Sequence, residues 1–215
     1  MAPLSAARAR ANADRVRQEI AAAAGRAGRD PADVELLAAV KYLPVEALGA
    51  LLEAGVNLLG ENRAQELQAK AAAWPDARWH FIGQLQSRKV RQILPLVELI
   101  HSVASDSALA QLERHAPPGT EVLVEVNVAR EEGKPGVAPE ALEAFVARSP
   151  VPVVGLMGMP PFTEDPERSR PHFAALRALA AQHGLHQLSM GTSQDYAVAV
   201  EEGATIVRVG SILFA

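Results

Sequence analysis

Apolar positions follow two alternating rhythms along this chain. Over residues 5–24 they recur at helical spacing among alanines and arginines, which predicts an N-terminal helix. A loop over 25–31 then leads into Val34-Glu-Leu-Leu-Ala-Ala-Val40, a short apolar run of strand character. Pro44 opens a helix at its permitted first turn, the helix ends near Gly55, and residues 57–60 form a second strand. Further strands are expected at 78–82, 97–103, 122–128, 153–157, 186–189 and 205–209, each but the last followed by a helical stretch.

Strict alternation of helices with near-continuous apolar strands means parallel strands buried on both faces. Eight of them favour closure, so the expected fold is α/β: one (β/α)8 TIM-type barrel with an extra N-terminal helix, a single domain over residues 1–215. After the eighth strand only Ser211-Ile-Leu-Phe-Ala215 remains, and the N-terminal helix is expected to cover the place of the missing last helix.

Composition narrows the function classes. A hydrophobic content of 49% is ample for a core, and 21 basic against 25 acidic residues, with no strongly basic block, speak against nucleic acid as a partner. The absence of cysteine rules out disulfides and thiolate chemistry and suits a reducing compartment, so a cytoplasmic setting is expected. Residues 1–24 lack the apolar core of a secretion signal. The longest apolar runs, 36–40 and 151–159, fall far short of the ~20 residues a membrane span needs, so no membrane partner is expected.

Lysine is scarce, with Lys41, Lys70, Lys89 and Lys134 against 17 arginines. Three of the four sit among polar residues, whereas Lys41 ends an apolar strand, at the barrel face where ligands bind. Desolvation there would favour the neutral amine that attacks an aldehyde; a solvated lysine capping the strand fits the position equally well. Leu188-Ser-Met-Gly-Thr-Ser193 joins the seventh strand to a helix over 194–202. There Gly191 permits close backbone approach, and the hydroxyls of Thr192 and Ser193 join first-turn N–H groups that suit an anion. A capped helix without a ligand is the alternative, which a second small-residue turn, Gly210-Ser211 after strand eight, makes the weaker one. Arg208, flanked by Val207 and Val209, faces away from both and must meet either a ligand or an internal acid such as Glu125. Asn62 either contacts a ligand or, better on physics alone, caps the helix over 63–73. His80 reads as a buried, hydrogen-bonded imidazole, and His101, 115, 172, 183 and 186 show no metal-ligand spacing, so no metal site is expected. The basic run Ser87-Arg-Lys-Val-Arg91 reads most simply as a solvated helix face.

Leu37-Ala-Ala-Val-Lys41, Gly60-Glu-Asn62 with Gln65-Glu66, His80-Phe-Ile-Gly83 with Leu85-Gln86, Gly155-Leu-Met-Gly-Met159, Leu188-Ser-Met-Gly191 with Ser193, and Val207-Arg-Val-Gly210 occur in an order and spacing that is specific across nearly the whole chain. The chain resembles the PLP homeostasis proteins, which bind pyridoxal 5′-phosphate (PLP) and are related to the barrel domain of fold-type III alanine racemases. The resemblance implies that Lys41 carries PLP as a Schiff base. It further implies that the loop Ser189, Met190, Gly191, Thr192 and Ser193 and the turn Gly210-Ser211 hold the phosphate, that Arg208 faces the pyridine nitrogen, and that Asn62 and His80 lie near the ring. The sequence departs from the family at Thr192, where methionine is commoner, and at Phe214-Ala215, where relatives run past a Phe-Gly pair.

A permanently cationic arginine at the pyridine nitrogen keeps it unprotonated and makes the ring a poor electron sink. Two-base racemisation also needs a base on the opposite face. Tyr42, directly after Lys41, should point away if the strand continues, and Tyr196 sits on a helix. The expected function is therefore a monomeric protein that sequesters PLP and supplies it to apo PLP-dependent enzymes, rather than an enzyme. A PLP-dependent amino-acid racemase and a Schiff-base aldolase acting on a phosphosugar are the alternatives.

Overall fold

The computed structural model describes residues 4–214. Its strands are β1 (Glu35–Ala39), β2 (Leu58–Glu61), β3 (Arg78–Phe81), β4 (Leu99–Val103), β5 (Glu121–Glu125), β6 (Val153–Met157), β7 (Gln187–Thr192) and β8 (Ile206–Val209). They pair in sequence order, all parallel, and β8 closes on β1, so the expected (β/α)8 barrel is present. Two strand ends differ from expectation in ways that reach the site. The run that was to end at Lys41 leaves the sheet at Ala39, and β7 continues to Thr192 instead of stopping at Ser189.

Around the barrel lie α1 (Ala6–Arg26), α2 (Leu48–Glu53), α3 (Ala64–Ala73), α4 (Val90–Ile93), α5 (Asp106–His115), α6 (Leu142–Ala147), α7 (Arg170–Gln182), α8 (Tyr196–Glu201) and α9 (Ser211–Phe214). Helix α1 begins where Ser5 accepts a hydrogen bond from the Arg8 N–H, and it packs between α8 and α2 and against the four-residue α9. It thus covers the seam between β8 and β1, as expected from the short C-terminal segment. Its arginines fasten it there: Arg10 and Arg17 donate to the carbonyls of Glu53 and Gly55 at the C-terminal end of α2, where unpaired carbonyls and the helix dipole favour a cation. Among the described residues no helix is long and apolar enough to cross a membrane. Met1 to Pro3 and Ala215, which the leader and C-terminal expectations touch, lie outside the described residues.

Period-two alternation divides the buried residues into two cores. Ala38, Val40, Leu59, Phe81, Ile100, Val122, Val124, Leu188, Val207 and Val209 face outward and pack under the helices. Leu37, Leu58, Leu99, Leu123, Met157 and Ile206 face inward and plug the barrel. The following inward positions on three of the same strands are polar, His101, Glu125 and Arg208, and Ser189 on β7 joins them. An apolar floor beneath a polar upper layer positions the site.

Candidate functional site

At the end of β1 the Val40 carbonyl accepts the Leu43 N–H at 3.0 Å, a turn that carries Lys41 and Tyr42 out of the sheet. Lys41 is consequently exposed at the C-terminal rim, with Nζ 4.7 Å from the ring centroid of Tyr42, itself 80% exposed. Of the two readings left open for Lys41, the solvated one holds, and the strand on whose continuation the orientation of Tyr42 depended ends at Ala39. The buried lysine is Lys70, which sequence placed among polar neighbours. Its ammonium, 1% exposed, donates to Glu61 Oε2 at 2.6 Å and to the Val40 carbonyl at 2.8 Å. Helix α3 carries it inward because Leu67, Lys70 and Ala71 share one face.

Glu61 also accepts the backbone N–H groups of Asn62 at 2.6 Å and Arg63 at 3.1 Å, so the carboxylate, and not Asn62, serves the entrance of α3. The capping role expected of Asn62 is not filled: the N-cap residue of α3 is Arg63, and among the described residues no side chain accepts from the helix's first turn. Asn62 Oδ1 is buried with no hydrogen-bond partner among the described residues, a costly state that a ligand donor would relieve.

Across the mouth, β7 carries a bulge: Ser189 opposes Ile206, but Thr192 opposes Arg208. Gly191 lies within it at φ +87°, and a Cβ there would stand 2.6 Å from Ala199 Cβ and 2.9 Å from Tyr196 Cα, so glycine alone lets α8 sit this close. The Thr192 N–H donates to Asp195 Oδ1 at 2.7 Å, and the Gly210 N–H donates to Ser193 Oγ at 3.0 Å, which ties the two small-residue turns together. The N–H groups of Ser193, Gln194 and Ser211 meet no acceptor among the described residues. Ser189 and Met190, expected in the anion loop, are fully buried; because β7 runs on, the turn starts after them, and Met190 packs outward under the helices.

Arg208 reaches inward from β8. Nη1 donates to the Ser189 carbonyl at 2.7 Å and to Ser189 Oγ at 2.5 Å, and Nη2 to the Gly158 carbonyl at 3.0 Å. Of a guanidinium's five N–H groups, these bonds leave two. No ion pair with Glu125 forms among the described residues, so the internal salt bridge left open by the sequence is absent there. Burial lowers the Arg208 pKa to about 10, with Glu125 and Asp195 opposing the shift, so the group stays cationic at neutral pH. Burial likewise raises the Glu125 carboxyl, against the pull of Arg208.

His80 is buried as expected, but its contacts lie beneath the mouth. Its Nδ1 stands 2.9 Å from His101 Nε2, and its Nε2 faces Glu98, just before β4, at 3.8 Å. His101, to which the sequence assigned no role, bridges onward from Nδ1 to Ser189 Oγ at 2.8 Å. The signal that would have found it is its place two residues after inward-facing Leu99. Tyr196 is turned away from the mouth, its hydroxyl donating to Glu19 on α1. No group of three or more potential metal ligands occurs among the described residues.

The structure thus gathers Lys41, Asn62, Gly191 to Ser193, Arg208, Gly210 and Ser211 on or just inside one rim. Comparison with known proteins follows this geometry. The family model for the alanine racemase N-terminal domain matches residues 11–215. A pyridoxal phosphate homeostasis protein of Aquifex aeolicus is 42% identical, covering 93% of this chain and 94% of its own. The PipY structure of Synechococcus elongatus with PLP bound superposes with a TM-score of 0.75 at 33% identity, over 91% of this chain and 100% of that one. Alanine racemase from Corynebacterium glutamicum shares the fold, with a TM-score of 0.75 at 15% identity over 98% of this chain and 61% of its own.

Proposed function

Since the chain belongs to the pyridoxal phosphate homeostasis protein family, we propose that it holds PLP at the C-terminal mouth of its barrel, bound to Lys41, and supplies the cofactor to apo PLP-dependent enzymes. The observation that carries this reading is Arg208: a buried cation that forms no ion pair among the described residues, with N–H groups to spare, just inside a rim that bears an exposed lysine. The other donors and acceptors fit the same ligand. Ser193, Gln194 and Ser211 offer N–H groups to a phosphate, and Asn62 Oδ1 has no donor among the described residues.

When bound, PLP supplies an aldehyde that condenses reversibly with a lysine amine. Everything else follows from this chain's residues. Lys41 is accessible to that aldehyde, whereas the Lys70 ammonium is locked against Glu61 and Val40. Arg208, cationic and donating, gives a pyridine nitrogen no reason to take a proton, which disfavours carbanion chemistry and suits storage. The curated relative's name, a homeostasis protein, supports the same reading over a racemase.

Borohydride reduction of the loaded protein followed by peptide mapping is expected to place the pyridoxyl group on Lys41; finding it on Lys70, Lys89 or Lys134 refutes the assignment. The loaded protein should also reactivate an apo-enzyme in the presence of a trap for free PLP. Turnover of one amino acid at roughly 1 per second or faster would establish the racemase instead.

A further inference from the structure

We infer that Ser189, His101 and His80 are positioning residues for Arg208, joined to it by a one-way chain of hydrogen bonds through the barrel interior that holds the guanidinium plane and sets the tautomer of each imidazole. The direction follows from the end member. Arginine donates and never accepts, so the 2.5 Å contact of Nη1 makes Ser189 Oγ an acceptor. The serine hydrogen then goes to the other polar side-chain atom in reach, His101 Nδ1 at 2.8 Å. That nitrogen is therefore bare, and the His101 proton resides on Nε2. At 2.9 Å this N–H donates to His80 Nδ1, which leaves the His80 proton on Nε2, toward Glu98 at 3.8 Å. A reversed chain is unavailable because Arg208 has no lone pair to offer.

Burial and charge keep the chain in this state. The groups that face it are Arg208 at one end, Arg78 and Glu98 at the other, and Glu125 and Asp195 around the guanidinium. Burial, then the Arg78 cation, lowers His80 to about 4, and burial, His80 and Arg208 hold His101 well below its ordinary value. A proton on His101 Nδ1 would point at a serine oxygen that already receives Arg208. The two rings also meet at a tilt, with centroids 5.0 Å apart and planes inclined by 56°. Pinned at Ser189 and at the Gly158 carbonyl, the guanidinium keeps its remaining N–H groups in a fixed direction.

The consequence for the cofactor rests on the proposed reading of the site; the chain of hydrogen bonds does not. Nitrogen-15 NMR of the ligand-free protein at pH 6–8 is expected to show both His80 and His101 neutral and protonated on Nε2. An Nδ1–H tautomer or a charged ring at either position overturns the chain. In the loaded protein, Ser189→Ala and His101→Leu are expected to move the pH midpoint of the bound cofactor's visible absorption by about half a unit or more. His101→Asn, whose amide oxygen can accept from Ser189 in place of Nδ1, should restore it. Variants that melt earlier but keep the wild-type spectral profile show a structural role alone and refute positioning. A wild type with no such absorption sinks the PLP reading, while the NMR result stands by itself.

Discussion

Lys70 and Glu61 bring two opposite charges out of water, and their pairing is what makes this tolerable. The pair also ties the ends of two strands together: Lys70 holds the Val40 carbonyl one residue before Lys41, and Glu61 holds the N–H of Asn62. Lys70→Met should leave a buried carboxylate unpaired, at a cost of about 3–5 kcal/mol. For a chain of this size that lowers Tm by on the order of 10 °C. Adding Glu61→Gln to the same chain should return more than half of the loss, which calorimetry of single and double variants checks. At this scale the sequence was legible where strand periodicity fixed a direction, as for Arg208. It misled for the lysines, because a residue's neighbours in the chain say little about which helix face turns inward, and Lys70 lies on the buried face of α3.

Among the elements, β7 and the helix after it show how one backbone irregularity makes a binding turn. The extra residue in β7 requires a left-handed conformation at Gly191 and lets α8 approach to within contact of it. Gly191→Ala should therefore cost at least ~2 kcal/mol in strain and displacement of α8, and lower Tm by several degrees. Gly210, whose added Cβ would meet nothing closer than the Ala39 carbonyl at 3.3 Å, should accept alanine with a loss below about 1 kcal/mol. Thermal melts of the two variants separate these outcomes, which the sequence, showing a glycine in a small-residue turn at both places, does not distinguish. The end of the strand was expected three residues too early because Gly191 and Thr192 look like a turn, and a bulge hides a small residue inside a strand.

Over the whole molecule, the buried histidines couple stability to acidity. His80 titrates near 4 when folded against about 6.5 unfolded, and His101 shifts in the same direction. Between those values the unfolded chain binds protons that the native barrel refuses. The stability they contribute is thus complete above pH ~6.5 and is lost as pH falls toward 4, by on the order of 3 kcal/mol for His80. Denaturant melts at pH 7 and pH 4.5 should show this slope, and His80→Gln with His101→Gln should flatten it; a slope unchanged by both substitutions contradicts the buried neutral pair. The sequence by itself determined the alternation of strand and helix, the closed barrel, the seam-covering role of α1 and the motifs shared with its relatives, because period and order are properties of a chain read in one dimension. Only the tertiary structure decided that Lys41 is exposed while Lys70 is buried, that Glu61 binds the backbone just before α3 while Asn62 does not cap it, and that Ser189 turns inward to His101. Those outcomes depend on where strands end, where a bulge falls and which groups meet across the barrel, and such contacts join residues as far apart as His101 and Ser189.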